Sequence, residues 1–110
     1  MRASGTARGY MAKNMETSLF LEHVLRCFRR ELADQKRDVI IEKVDHDSNF
    51  LEIRWKEGEE AYFFLTNWNE IKHYQSKGPY AVDRFIIQKF KEIGFDFNHE
   101  ASHYAQIISS

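Results

Sequence analysis

The chain has 110 residues, a single cysteine and a formal net charge of −1. That length suits one compact domain and is too short for two. The near-neutral charge supplies no global attraction to nucleic acid or to an anionic membrane. A lone Cys27 excludes an intramolecular disulfide and a cysteine-built zinc site within one chain, so a reducing, cytoplasmic compartment is the expectation.

Residues 1–14 contain Gly, Ala, Ser and Arg without an apolar period and read as a flexible tail, with Met11 and Met15 as alternative starts. They also lack the apolar segment of a secretory signal. The tail carries Arg2, Arg8 and Lys13 and no acid before Glu16. The rest of the chain, 15–110, is then the folded domain, and its acids outnumber its bases.

Thr17 or Ser18 is suited to cap a helix. Phe20, Val24, Cys27, Phe28 and Leu32 recur at helical spacing, Leu21 and Leu25 widen the stripe, and the helix should end near Asp34. Cys27 lies on that stripe and reads as a small buried hydrophobe. His23 stands four residues before it and off the stripe.

Three strand patterns follow: Val39–Val44, Phe50–Lys56 and Ala61–Thr66. Residues 45–49 are turn formers, and Glu57-Gly58-Glu59 makes the second turn. Short turns between strands predict an antiparallel meander. Leu51, Ile53 and Trp55 should share one face with Ala61, Phe63 and Leu65. The outer face should carry Glu52, Arg54 and Lys56, with Phe50, Tyr62 and Phe64.

Asn67 and Glu70 form a capping pair for a short helix through Gln75. Ser76-Lys77-Gly78 breaks it, and Pro79 suits the first turn of the next helix. Val82, Phe85, Ile86, Phe90 and Ile93 give that helix an apolar stripe, and Gly94 suits its end. The remainder has two readings: Phe95-Asp96-Phe97 as a strand, or Asn98 as the cap of a last helix through Ile108. No transmembrane-length apolar run is present. The fold class is α+β: an N-terminal helix, a three-stranded antiparallel meander, then two or three helices on one sheet face.

His99-Glu100-Ala101-Ser102-His103 spells HExxH. On a helix, the two histidines share a face and can hold zinc, with Glu100 as general base for a bound water. A third ligand is needed, and His73, with His46 and Asp47, is available only upstream. Phe50, Arg54, Trp55 and Lys56 mix rings and cations as nucleic-acid binders do. The element order is similar to that of double-stranded-RNA-binding domains. The lysines those domains place at their last helix are replaced here by Gly78-Pro79-Tyr80-Ala81-Val82-Asp83. Aromatics are 15% of the chain, a surplus for a small interior. Phe50, Tyr62, Phe64, Trp68 and Tyr80 are therefore candidates for an interaction surface.

Three functions compete. The first is a non-enzymatic interaction or regulatory domain without cofactor, acting through a protein partner or as a homo-oligomer. The second is a zinc protein or zinc-dependent hydrolase using His99, His103 and His73, with Glu100 catalytic. The third is a nucleic-acid binding module. No membrane partner is expected.

Overall fold

A computed structural model describes residues 5–109. Residues 1–4 of the expected tail, Arg2 among them, lie outside the described residues. The elements run α1 (Gly5–Asn14), α2 (Thr17–Asp34), β1 (Val39–Asp45), β2 (Phe50–Glu57), β3 (Glu60–Asn67), α3 (Trp68–Gln75), α4 (Ala81–Glu92) and α5 (His103–Ser109). The strands form one antiparallel sheet in the order β1-β2-β3, and helices cover one face of it. This is the α+β architecture that the patterning predicts.

The first difference lies at the amino end. Residues 5–14 form a helix, although they carry no apolar stripe. Two buried side chains, Arg8 and Ala12, hold it to the body. Apolar periodicity does not register a helix anchored by a cation, so the tail expectation fails over these residues.

The whole apolar stripe of α2 is buried, as is Trp55 at the middle of β2. Trp55 stacks on Phe90 of α4 at 4.0 Å between ring centroids. It also meets the rings of Phe28 and Phe95 edge-on. The core is thus an aromatic cluster between the sheet and helices α2 and α4.

Turn chemistry sets the strand register. Asp47 Oδ1 accepts from the N–H groups of Asn49 and Phe50, closing the β1–β2 turn. Gly58 adopts φ +60 in the β2–β3 turn, a conformation that favours glycine. That turn has two residues, because Glu57 pairs with Glu60. Ile53 then lies opposite Phe64, and Trp55 opposite Tyr62. A three-residue turn shifts the pairing by one and puts Phe63 inward, as the sequence reading had it. Since one residue of slip exchanges the faces, Phe64 is buried while Phe63 and Leu65 face out. Phe64 therefore leaves the candidate interaction surface, and Tyr62 packs its ring against Phe95 at 5.2 Å.

Asn67 caps α3, its Oδ1 accepting from the Glu70 N–H at 2.8 Å. Helix α4 starts after Pro79, with Tyr80 at its N-cap. It ends as Gly94 requires: φ is +101, Gly94 N–H bonds to Lys91 O and Phe95 N–H bonds to Phe90 O. The Phe90 and Phe95 rings meet across this Schellman turn. Beyond it, Phe95-Asp96-Phe97 is neither strand nor helix. Its alternation reflects two rings inserted into the core from one extended stretch, with Asp96 exposed between them.

Candidate functional site

The HExxH residues do not lie on one helix. Asn98 Oδ1 accepts from the Glu100 N–H, and Ala101 N–H bonds to Asn98 O, so His99 and Glu100 sit in a turn. Ser102 Oγ caps α5 by accepting from the Ala105 N–H at 3.0 Å, and donates to buried Glu31 at 2.6 Å. Both Asn98 and Ser102 are cap formers, and the later one starts the helix. His103 is its first residue, His99 and His103 are both exposed, and the shared face required of the pair is not formed. His73 stands exposed on α3 with its ring against Tyr74. His46 bonds to Glu52 at 3.0 Å on the opposite sheet face. Among the described residues no three His, Cys, Asp or Glu side chains gather to hold a metal ion.

The aromatic–basic set on β2 is also divided. Trp55 is buried, and Arg54 is tied to Glu52 on the outer face. That bond holds the Glu52 carboxyl below its usual range and raises Arg54. The cations near the end of α2 find local partners too. Arg37 grips Glu57 through two nitrogens at 2.6 and 2.8 Å, and Arg29 donates to Ile41 O.

Two arrangements remain. The first is the outer face of the sheet, built by alternate residues of three strands. Along β3 it presents Ala61, Phe63 and Leu65, and the last two are 58% and 61% exposed. Phe50 lies diagonal to Leu65 across the β2–β3 pair and is exposed too. Down β2 the same face carries Glu52, Arg54 and Lys56. The face is therefore an apolar column along β3 beside a charged column along β2. No strand pairs with the outer edge of β3 among the described residues. Of the five residues expected at an interaction surface, Phe50 is the exposed one. Tyr80 is buried, and Trp68 is partly covered, with Lys43 Nζ 5.3 Å from its ring.

The second arrangement lies inside. Arg8 and Asp83 are 1% and 0% exposed. Arg8 Nη1 and Nη2 meet the two Asp83 oxygens at 2.6 and 2.8 Å, a bidentate pairing. Nη1 also donates to Pro79 O at 2.9 Å. The Phe20 and Tyr80 rings flank the guanidinium, its carbon 5.4 and 4.9 Å from their centroids. Tyr104 donates to Asp83 Oδ2 at 2.5 Å. Burial opposes charge on Arg8, but the Asp83 hydrogen bond and charge outweigh it and raise the guanidinium pKa. Burial, then the Asp83 charge, pushes the Tyr104 hydroxyl well above the usual phenol range, so it stays a donor.

Cys27 Sγ lies 3.6 Å from Arg8 Nη2 and 3.6 Å from His23 Nε2. Burial and then the Arg8 charge lower the His23 pKa from its ordinary 6.5. Cys27 and His23 thus approach each other as their spacing allows. Neither lines the cleft between α1 and the α3–α4 turn, the one beside Tyr74 and Gln88, or the one beside Glu31 and Ser102.

Sequence reasoning missed Arg8, Asp83, Phe63 and Leu65. Asp83 did leave a signal: with Ile86, Ile87 and Phe90 it falls at i, i+3, i+4 and i+7 of one buried helix face. An acid on such a face needs a buried partner. Comparison with models of protein families, with the curated proteins and with solved structures gives no match to this chain. Among the described residues no helix is long and apolar enough to cross a membrane.

Proposed function

We propose that this chain is a non-enzymatic interaction module that acts by self-association, and that a second copy joins it along β3. The observation that carries the reading is the exposed pair Phe63 and Leu65 on an edge strand with no charged residue from Ala61 to Thr66. Edge strands that stay unpaired are usually blunted by charge, proline or a bulge. β1 follows that rule, with Glu42, Lys43 and Asp45 along its length. β3 does not.

Antiparallel pairing of β3 with itself suits the arrangement of the outer face. With Phe63 at the two-fold axis, each Leu65 lies opposite the other copy's Ala61. The two apolar columns then merge into one stripe, with the charged β2 columns outside it. Each aromatic or aliphatic cross-strand pair contributes about 0.2–1 kcal/mol beyond the new main-chain hydrogen bonds. Such an isologous contact closes at two copies and leaves the β1 edges free, where Glu42, Lys43 and Asp45 accompany the exposed Ile40. A module of this kind with its single thiol buried suits a reducing, cytoplasmic setting.

Sedimentation of the full chain from about 1 to about 500 µM is expected to show a rise to twice the monomer mass. The Phe63→Lys/Leu65→Lys variant should stay monomeric with an unchanged far-ultraviolet circular dichroism spectrum. A wild-type chain that is monomeric throughout the range defeats the proposal. So does a dimer that the two lysines leave intact.

A further inference from the structure

From the interior we infer that the body of this protein carries a binding slot for an arginine side chain, filled by its own Arg8, and that α1 is a latch which lifts to let a peptide arginine from another chain take that place. The slot has the parts a guanidinium recognises: a buried carboxylate on both nitrogens (Asp83), a carbonyl (Pro79 O) and two flanking rings (Phe20 and Tyr80). Tyr104 fixes the carboxylate from the far side. These groups come from α2, α4, α5 and the turn before α4, so the body builds the slot without α1.

Among the described residues the latch has few anchors, with Met11 packed partly buried against the core. Apart from Arg8, Ala12 is its one buried side chain. Gln75 Nε2 adds bonds to the carbonyls of Ala12 and Met15 at the helix end. Gly5 and Gly9 weaken the helix itself. A cleft of about 690 Å³, lined by Gly9, Ala12 and Lys13 of α1 and by Lys72, Ser76 and Lys77 opposite, separates its flank from the α3–α4 turn. Among the described residues Arg8 Nε has no hydrogen-bond partner, so the resident arginine leaves one of its donors unused. A helix that buries two side chains opens at lower free energy than the core beneath it.

The test uses the full chain with Arg8→Ala, which empties the slot and leaves Asp83 in place. The probes are ethylguanidinium and a synthetic peptide of residues 5–14, compared with propylammonium and the same peptide carrying Arg8→Lys. Each guanidinium probe is expected to raise the Tm of Arg8→Ala saturably, by about 4 °C or more once well above its Kd. The lysine peptide should bind at least tenfold more weakly. The Arg8→Ala/Asp83→Asn variant should lose the response. Absence of a saturable rise, or an equal rise in the double variant, overturns the slot. Rescue by ethylguanidinium but not by the arginine peptide overturns the peptide ligand.

Amide exchange of the wild-type chain tests the latch even where Arg8→Ala does not fold. The amides of α1 should exchange through an opening that leaves α2 and α4 protected. If α1 exchanges only with the whole molecule, it is not a latch.

Discussion

Asp83→Ala is expected to destabilise the protein by about 3–5 kcal/mol, the usual cost of removing one partner from a buried ion pair. Two groups lose their acceptor at once, the Arg8 guanidinium and the Tyr104 hydroxyl. A buried cation without a counter-charge is the more costly of the two. The chain has one way to reduce that cost, which is to release α1 and return Arg8 to water. The loss should therefore be accompanied by rapid amide exchange over residues 5–14, and denaturant unfolding together with hydrogen exchange checks it. Replacing both partners with apolar residues of similar volume, as in Arg8→Met/Asp83→Leu, should recover most of the loss, because breaking a pair costs far more than omitting it. A single Asp83→Ala variant that loses under about 1 kcal/mol with α1 still protected would contradict the role given to this pair.

Trp55→Ala should cost a similar amount, about 3–5 kcal/mol, by a different mechanism. Trp55 is fully buried and contacts three rings, from α2, α4 and the stretch after α4. Its removal opens a cavity bounded by the sheet and two helices, and no single element can close it. Trp55→Phe should lose less than half as much. The phenyl ring keeps much of the stacking on Phe90, and the substitution removes an indole N–H that is buried without a partner among the described residues. Equal losses for the two variants would mean that the cavity is not the governing term. Urea unfolding with an unchanged slope separates true stability change from a change in compactness.

Elements with strong period were legible in the sequence. Helix α2 ends at Asp34 as its stripe predicts, although Glu16 and not Thr17 or Ser18 stands at its N-cap, and the three strands exceed their expected spans by one or two residues. Gly94 and Asn67 announce a helix end and a helix start through specific chemistry, a left-handed φ and a side-chain acceptor. What failed did so where local pattern carries no information. Ala61-Tyr62-Phe63-Phe64-Leu65 is apolar at every position, so its parity comes only from the turn before it. One residue in the count of that turn exchanged Phe63 with Phe64. The HExxH spelling specifies a site only if its five residues are helical, and the caps at Asn98 and Ser102 decide otherwise. Arg8 is separated from Asp83 by 75 positions, and no window along the chain relates them. The candidate site was accordingly less legible than the fold: exposed Phe50 was foreseen, whereas Phe63, Leu65 and the guanidinium cluster were not.

The two tryptophans stand in different surroundings, and this gives the protein a built-in pair of optical reporters. Trp55 is fully buried against the rings of Phe28, Phe90 and Phe95, which places its fluorescence at the short-wavelength side of the band and away from aqueous quenchers. Trp68 lies partly open at the start of α3 with an ammonium above its ring, so it emits to the red and stays accessible to those quenchers. A single emission spectrum thus distinguishes events at the rim from loosening of the interior, without any label.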